Sequence, residues 1–366
     1  MIKYLGSKRT LIPRITAAVA ALPSVRTVID LFSGTSRVGH AFKRLGYRVL
    51  ANDHNAYAAV LARCYVEADR EDLLAECETH LARLNALAPK AGWFTKTFCE
   101  DSRYLQPHNG ARVDAIRRWI AQAELSAPVE AVLLTSLLEA ADRVDSTTGV
   151  QMAYLKDWAD RSYKDLELRM PDVLPQAEAG KGAAFELEAE VAVRELQGDV
   201  MYFDPPYNQH KYLGNYHVWE SLVRWDCPAV YGIARKRVDC RTRRSDFNSK
   251  PRSAGAMQQA LDQAQARHLV VSFSNEGYFG PEQIVAMLRP RGRVLALGCD
   301  YRRYVGAQIG IHNPAGERVG KVSHLHNKEF LFVATPDAEP GSPVEQQLLA
   351  QGFVDARAIL TADPAV

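Results

Sequence analysis

Short apolar runs separated by turn residues predict the strands of a parallel sheet. Residues Thr27 to Phe32 read TVIDLF and end in a Ser-Gly-Thr-Ser turn, after which the spacing of apolar positions predicts a helix from about Arg37 to Leu45. A second apolar run, Tyr47 to Asn52, follows immediately after Gly46. A strand, a helix and a strand in this order form a βαβ unit, which places the two strands in parallel.

The rest of the chain divides by pattern into further strands and one helical region. Short apolar runs recur at residues 199–203, 268–274, 293–297 and 329–335, the last of which we expect to be inserted antiparallel after the run at 293–297. Between the two halves, residues rich in Ala, Leu, Glu and Arg recur with helical spacing. We therefore predict an α/β catalytic domain of residues 1–58 and 186–335, a largely helical insertion at 59–185 for support or target recognition, and a C-terminal linker and helix at 336–366.

Composition excludes several classes of protein. The 366 residues are 47% hydrophobic, which is enough for a buried core, and the first residues lack the apolar segment of a signal peptide. No apolar run is long enough to cross a bilayer, so we expect a cytoplasmic protein with no membrane partner. The six cysteines form no C-x-x-C pair, and we expect no metal site. The formal net charge of +2 does not by itself indicate a nucleic-acid partner.

The turn after the first predicted strand is a candidate cofactor site. Gly34 stands where the backbone would approach a ligand at the carboxyl end of that strand. Asp53 ends the next strand, where a carboxylate can accept hydrogen bonds from both hydroxyls of a ribose. Because the turn is not G-x-G-x-x-G, a nucleoside cofactor without a pyrophosphate fits better than a dinucleotide.

The segment Asp204-Pro205-Pro206-Tyr207 directly follows the predicted strand DVMYF. Two prolines end the strand and hold a carboxylate and an aromatic ring at the edge of the sheet where ligands bind in α/β proteins. Hydrogen bonds from a base amino group to the Asp204 carboxylate and the Pro205 carbonyl would favour a tetrahedral nitrogen with a free lone pair. Tyr207 would stack on a base that has left the duplex.

The order of these motifs resembles the amino-methyltransferases of DNA, and among them the Dam-like (D12 class) adenine-N6 methyltransferases. The chain shows KYLGSK at residues 3–8, then DLFSG at 30–34, then DPPY at 204–207. Downstream segments such as NQHKYLGNYHVWESL and SFSNEGYF also look like those of the family. The resemblance implies a class I methyltransferase fold, Rossmann-like with a mostly parallel seven-stranded sheet, and S-adenosylmethionine (SAM) as the cofactor.

The family pattern also implies roles for individual residues. Tyr4 and Lys8 would border the methionine end of SAM, and Asp53 would hold its ribose. The amino acid moiety would lie along the DLFSG segment, where we take Asp30, Phe32 and Gly34 as candidates. The family usually has an acid beside the adenine of the cofactor before D-P-P-Y, and Glu188 or Glu190 is the candidate here. Asp204 would contact cofactor as well as target.

A basic run follows the D-P-P-Y segment along the chain. It carries a single acid, Asp239, within a segment (208–255) that we expect to contact DNA, and its basic residues are Arg235, Lys236, Arg237, Arg241, Arg243 and Arg244. Basic runs are often solvated surface, but a position on the segment that leaves the catalytic edge favours phosphate contacts. Tyr212, Tyr216 and Trp219 either line a pocket or belong to the core.

The sequence therefore predicts a site-specific DNA methyltransferase that transfers a methyl group to a flipped base, with adenine N6 favoured. Cytosine N4 remains an alternative because it is also an amino group beside a ring nitrogen. A catalytically silent DNA-binding protein of the same fold is the third reading, against which the intact Asp204, Gly34 and Asp53 argue. Double-stranded DNA is the expected partner, and a restriction endonuclease is a candidate partner.

Overall fold

The computed structural model describes residues 1–209, 211–275, 277–302 and 326–357. Contacts between Cα atoms divide the chain into two units. The first unit comprises Met1–Arg9, Arg26–Ala192 and His210–Arg244, and the second comprises Thr10–Val25, Val193–Gln209 and Ser245–Val366. The units differ from the predicted domains, because the helical region belongs to the same unit as the first strands.

The helices are listed here in chain order. They are α1 (Ile12–Ala20), α2 (Arg37–Arg44), α3 (Ala56–Ala62), α4 (Arg70–Asn85), α5 (Trp93–Thr95), α6 (Pro107–Gln122), α7 (Ala127–Arg143), α8 (Ala189–Glu195), α9 (Tyr212–Asn215), α10 (His217–Arg224), α11 (Asp239–Thr242), α12 (Ser253–Gln263), α13 (Pro281–Leu288) and a C-terminal helix at Pro343–Ala350. Short π-helical turns extend α3 and α5 at Arg63–Glu67 and Lys96–Glu100.

The strands are β1 (Thr27–Asp30), β2 (Arg48–Asn52), β3 (Ala183–Phe185), β4 (Gln197–Phe203), β5 (Val230–Tyr231), β6 (Lys236–Arg237), β7 (Gln265–Ser274), β8 (Arg293–Arg302), β9 (His326–Thr335) and β10 (Val354–Asp355). Each of the six strands predicted from apolar runs is present, with ends that differ by a few residues.

The first unit contains a parallel arrangement of β1, β2 and β3. β1 pairs with β2, and β2 pairs with β3, both in parallel. The first three residues of β1 are Thr, Val and Ile, β-branched residues that suit a strand, and Val28 and Ile29 are fully buried. β3 lies inside residues 59–185, the range predicted as a largely helical insertion. Because β1, β2 and β3 are parallel, their carboxyl ends lie at one edge of the sheet. Phe32, Asp53 and Leu187 follow these ends, at the edge where the candidate cofactor residues lie.

The helices of residues 56–143 build the core of the first unit. α7 packs on α3, α4 and α6, and α10 packs on α3. Large side chains fill this core, among them the fully buried Tyr57, Tyr65, Phe94, Phe98 and Tyr104. Each such side chain contributes about 1.5–3 kcal/mol by burial. The helical region is therefore part of the folding core of this unit rather than an appended module.

The second unit contains a mixed sheet. β4 and β7 are parallel, whereas β9 lies antiparallel between β7 and β8, as predicted for the last apolar run. β10 adds a short antiparallel pair with β8. Parallel pairing, as predicted, is found for β1, β2 and β3 in the first unit and for β4 and β7 in the second, while β8, β9 and β10 pair antiparallel.

Helices cover the strands of the second unit. α1 packs on β7, and α13 packs on β9 and α12. The core includes the fully buried Val200, Phe203, Val270 and Phe332. The C-terminal helix lies in the predicted range, and residues 358–366 of that range lie outside the described residues. In the part of the chain that the structure describes, no helix has the length and apolarity to span a membrane.

Candidate active site

The turn after β1 is organised by two carboxylates. Asp30 ends β1 and is buried, and its Oδ2 accepts a hydrogen bond of 3.0 Å from the amide of Gly39 in the first turn of α2. Asp53 follows β2, and its Oδ2 accepts a hydrogen bond of 3.0 Å from the amide of Gly34. The turn is therefore fixed to the ends of both strands.

Asp53 also organises the chain that follows it. Its Oδ1 accepts hydrogen bonds from the amide and the side-chain nitrogen of Asn55, at 2.9 and 3.0 Å. A carboxylate oxygen can accept two hydrogen bonds, so Oδ2, with one described donor, retains capacity for a hydroxyl. The predicted ribose contact is compatible with this geometry, although Asp53 has a structural task as well.

Gly34 lies against the ring of Tyr4. Its φ is +51°, a conformation that residues with a side chain rarely adopt. A Cβ at this position would lie 3.1 Å from Cε1 of Tyr4, so the ring would have to shift by a few tenths of an ångström. The backbone conformation therefore favours glycine at this position, and the Tyr4 ring adds to that preference.

Tyr4 lies in a stack of tyrosines. Its ring is stacked with Tyr212 at 5.2 Å and with Tyr216 at 4.7 Å between centroids, and its hydroxyl is 3.3 Å from that of Tyr57. Burial raises the pKa of Tyr4 well above its usual value, and the nearby Tyr57 and Asp53 raise it further. Tyr4 is therefore neutral at physiological pH.

The other candidate residues near Tyr4 are buried or half-buried. The hydroxyl of Tyr216 accepts a hydrogen bond of 2.6 Å from the amide of Leu5, which fixes the N-terminal segment. Tyr216 and Trp219 are buried, so of the two readings of these aromatics the structure favours the core for both. Lys8 of the same segment is buried, and Phe32 is half-buried at the start of the turn.

Glu188 lies just beyond β3 and is held by two basic groups. Its Oε2 is 3.1 Å from Nδ1 of His54, and its Oε1 is 3.4 Å from Nη2 of Arg243. The hydrogen bond from His54 lowers the pKa of Glu188, and the charges of His54 and Arg243 lower it further. Glu188 is thus an anion near the end of β2, in contact with His54, the residue after Asp53, although the two are far apart in sequence.

The Asp-Pro-Pro-Tyr segment follows β4 in the second unit. Oγ of Ser272 on β7 donates a hydrogen bond of 3.0 Å to Oδ1 of Asp204, and the same Oγ is 2.8 Å from the hydroxyl of Tyr202. Ser272 and Tyr202 are buried. The carboxylate is therefore oriented by a hydroxyl of the neighbouring strand, a contact that sequence reasoning missed.

Tyr207 is fixed through both its backbone and its ring. Its carbonyl accepts a hydrogen bond of 3.0 Å from the amide of Tyr278, and its ring contacts the edge of Phe273 at 5.7 Å. Phe273 in turn stacks on Phe279 at 5.1 Å. Pro205 and Pro206 lie between Asp204 and Tyr207, directly after the end of β4.

The predicted DNA-contacting residues fall into two groups. Arg237 is 3% exposed, and its guanidinium is bonded to Asp226 at 2.7 Å and to Asp239 at 2.8 Å. The structure argues against a phosphate contact of Arg237, because its charge is already paired. Arg243 contacts Glu188 and also the carbonyl of His54, so it connects the strand ends to α11.

The remaining basic residues are more accessible. Arg235 is 3.5 Å from Asp101 and partly exposed, and Lys236 is half-buried. Arg241 is exposed and lies over the ring of Tyr231 at 3.7 Å, and Arg244 is exposed. These four are the residues of the run that remain candidates for phosphate contact.

A glycine turn follows the first strand of a parallel α/β unit, and Asp-Pro-Pro-Tyr follows a later strand, a combination typical of the amino-methyltransferases. A model of the family described as D12 class N6 adenine-specific DNA methyltransferase matches residues 4–285. The chain belongs to this family. This membership confirms the resemblance and the α/β methyltransferase fold inferred from the sequence.

Curated relatives agree with this assignment. The modification methylase StsI of Streptococcus sanguinis is 30% identical over 84% of this chain and 49% of its own length. The type II methyltransferase M.FokI of Planomicrobium okeanokoites is 28% identical over 92% of this chain and 53% of its own. The type II methyltransferase M.NlaIII of Neisseria lactamica is 27% identical over 89% and 99%. The chain therefore spans about half the length of the first two and nearly all of the third.

The residues of the first unit fit the methyl donor that the family implies. Asp53 offers an acceptor for ribose hydroxyls, and Glu188 offers an acceptor near the end of β3 for an adenine amino group. Both groups are carboxylates that accept hydrogen bonds. They suit a nucleoside, whose hydroxyl and amino groups donate hydrogen bonds, better than a negatively charged pyrophosphate. Within the described ranges, no cluster of His, Cys, Asp and Glu side chains could hold a metal ion.

Proposed function

We propose that the chain transfers a methyl group from SAM to N6 of adenine at a specific site in double-stranded DNA. The family and the type II relatives support methylation of DNA with adenine as the target. The observation that carries the proposal is the Asp204 carboxylate, which Ser272 orients at the carboxyl end of β4 within an intact Asp-Pro-Pro-Tyr turn.

Asp204 has the chemistry that this transfer needs. An exocyclic amine is a weak nucleophile because its lone pair is delocalised into the ring. Two acceptors, the Asp204 carboxylate and the Pro205 carbonyl, would bind the two N–H groups and return the lone pair to nitrogen. SAM supplies the methyl group as a sulfonium electrophile. The amine nitrogen would form a bond to the methyl carbon while the bond from that carbon to the sulfonium sulfur breaks and a neutral thioether leaves. One N–H proton would then pass to the Asp204 carboxylate or to solvent.

The remaining residues would bind and position the two substrates. Asp53, Glu188 and the turn around Gly34 would hold the nucleoside part of SAM, and Tyr4 with Lys8 would border its methionine part. The stacking face would come from Tyr207, because its ring is buttressed by Phe273 and its carbonyl is fixed by Tyr278. A target base would have to leave the duplex to reach these groups.

The names of the curated relatives support a role in a restriction-modification system. Because proteins named as modification methylases and type II methyltransferases match most of this chain, we propose a cytoplasmic enzyme of a restriction-modification system with a cognate endonuclease. Arg235, Lys236, Arg241 and Arg244 would neutralise phosphates around the target.

The test identifies the product. The full chain is incubated with labelled SAM and plasmid DNA, the DNA is digested to nucleosides, and methylated sites are mapped by sequencing. N6-methyl-2′-deoxyadenosine at one recurrent sequence is expected. Label in N4-methylcytosine would overturn the choice of base, and absence of label in any nucleoside would overturn the proposed activity.

A further inference from the structure

The carboxylate of Glu188 belongs to a cluster of charged side chains at the carboxyl ends of β2 and β3. The chain before it is fixed there, because the side-chain amide of Asn52 bonds both the amide and the carbonyl of Leu187, at 3.1 and 3.2 Å. The amide of Asp53 also donates a hydrogen bond of 3.2 Å to the carbonyl of Phe185. The backbone that leads into Glu188 is therefore bonded directly to the end of β2.

His54 holds one oxygen of this carboxylate. Its Nδ1 lies 3.1 Å from Oε2 of Glu188. Burial lowers the pKa of His54, but the hydrogen bond to Glu188 and the charge of Asp53 raise it by more, so the net pKa lies above its ordinary value. Protonation of the imidazole is thereby favoured, and a protonated imidazole makes a charge-assisted hydrogen bond to the carboxylate.

Arg243 holds the other oxygen. Its Nη2 contacts Oε1 of Glu188 at 3.4 Å and also the backbone carbonyl of His54. Its Nη1 lies 3.8 Å from Oε1 of Glu220, which is fully buried. Nζ of Lys211 donates a hydrogen bond of 2.9 Å to the carbonyl of Arg243. Arg243 is thus fixed through its guanidinium and its backbone, and it bridges the ends of β2 and β3.

The carboxylate of Glu188 retains capacity for a ligand. Each of its oxygens has one described donor, and a carboxylate oxygen can accept two hydrogen bonds. The side chain is 48% exposed, so a ligand can reach it. Because one oxygen is bonded to His54 and the other to Arg243, the carboxylate cannot rotate without losing a charged contact. Its direction as an acceptor is therefore set before a ligand binds.

We propose that His54 and Arg243 position Glu188 to recognise the adenine amino group of the methyl donor, so that the cofactor site selects adenine over purines without that group. The inference rests on the proposed function, in which Glu188 accepts a hydrogen bond from this amino group. A purine without the group removes water from the carboxylate and returns no hydrogen bond, which makes its binding weaker. Arg243 therefore serves the cofactor, although it belongs to the basic run.

The experiment measures the affinity for two ligands that differ only in this amino group. The full chain is titrated by calorimetry with S-adenosylhomocysteine, the demethylated form of SAM, and with its analogue in which purine replaces adenine. The wild type should bind S-adenosylhomocysteine about 10- to 100-fold more tightly, because the analogue lacks one hydrogen bond to a charged group. His54→Ala and Arg243→Met should each reduce this affinity ratio by about threefold or more.

The affinity ratio separates positioning from a structural role. A variant that only destabilises the fold lowers the affinity for both ligands equally and leaves their ratio unchanged. In a Glu188→Gln background the ratio should already be small. Adding His54→Ala or Arg243→Met to that background should not reduce the ratio further, because both residues act through Glu188.

Two other ion pairs of the first unit provide matched controls. His80 of α4 lies 3.7 Å from Glu76, and the two side chains are exposed to a similar degree as those of His54 and Glu188. The Arg44 guanidinium lies 2.7 Å from a carboxylate oxygen of an aspartate at residue 172. His80→Ala and Arg44→Met should both leave the affinity ratio at its wild-type value.

The inference fails if the wild type binds both ligands equally or binds neither. It also fails if His54→Ala and Arg243→Met lower both affinities without changing their ratio, or if they still reduce the ratio in the Glu188→Gln background. A chain that methylates adenine in DNA but does not distinguish the two ligands contradicts this inference alone. A chain that distinguishes them as predicted but methylates no DNA supports the inference and contradicts the proposed transfer.

Discussion

The hydroxyl of Ser272 should determine how well Asp204 works. Its Oγ donates to Oδ1 of Asp204 at 3.0 Å, and removing it in Ser272→Ala leaves that carboxylate oxygen without its described donor. A hydrogen bond to a charged group contributes about 1.5–3 kcal/mol. If this bond holds the carboxylate in its productive orientation, its loss should slow methyl transfer by about 10- to 100-fold, at about 1.4 kcal/mol per tenfold.

The assay separates positioning from folding. Single-turnover transfer is measured together with SAM affinity by calorimetry and thermal unfolding. Ser272→Ala also removes one partner of the buried Tyr202 hydroxyl, which costs stability of about 1–3 kcal/mol. Tyr202→Phe keeps the bond between Ser272 and Asp204 and should retain most activity. The double variant Ser272→Ala, Tyr202→Phe should regain stability, because no buried hydroxyl loses its partner when both are removed. Its rate of methyl transfer should stay low, because Asp204 still lacks the hydrogen bond from Ser272.

The result that refutes this reasoning is specific. If Ser272→Ala transfers methyl groups at the wild-type rate, the carboxylate needs no orientation from β7. If its rate falls only in proportion to the folded fraction, and recovers in the double variant, then the hydroxyl serves stability alone.

Three further predictions follow from other contacts. Asp53→Ala should weaken SAM binding by roughly 1.5–3 kcal/mol in a calorimetric titration, through loss of charged hydrogen bonds to the ribose, and an unchanged dissociation constant would place the nucleoside elsewhere. The double variant Arg241→Gln, Arg244→Gln should reduce the slope of log binding constant for DNA against log salt concentration by up to about 1.8, and a slope equal to that of the wild type would contradict the phosphate contacts. Arg237→Gln should instead lower the unfolding temperature, because it leaves Asp226 and Asp239 unpaired. Burial lowers the pKa of His217 to about 3, below its value of about 6.5 in an unfolded chain, so the unfolded state binds more protons between these pH values and the free energy of unfolding should fall by about 2 kcal/mol from pH 6.5 to pH 5. Chemical unfolding of His217→Gln should show a smaller fall over this range, and an equal fall would exclude His217 as the cause.

The strands were predictable because their apolar runs are short and bounded by turn residues. β3 was not, since Ala183, Ala184 and Phe185 are only half-buried and stand at the end of an alanine-rich region with helical spacing. Its pairing with β2 is a tertiary contact that no local pattern encodes.

The candidate site shows the same division. The role of Asp204 stays a prediction, drawn from the local Asp-Pro-Pro-Tyr motif, whereas Ser272 becomes its partner only through the register that pairs Phe203 with Val271. The basic run could not reveal that Arg237 is neutralised by two aspartates, because a charge run does not tell which side chains are paired. The predicted turn glycine, Gly34, has a φ of +51°, and the ring of Tyr4 lies against it, a contact that no local pattern reveals.

The most direct test of the central claim is methyl transfer by Asp204→Ala, measured beside its SAM affinity. We predict that N6-methyl-2′-deoxyadenosine is no longer formed while the SAM dissociation constant stays within a few-fold of wild type, because the carboxylate acts on the target amine. Asp204→Asn should also lose activity, on the order of 10²-fold. Near-normal formation of N6-methyl-2′-deoxyadenosine by either variant would remove Asp204 from the mechanism.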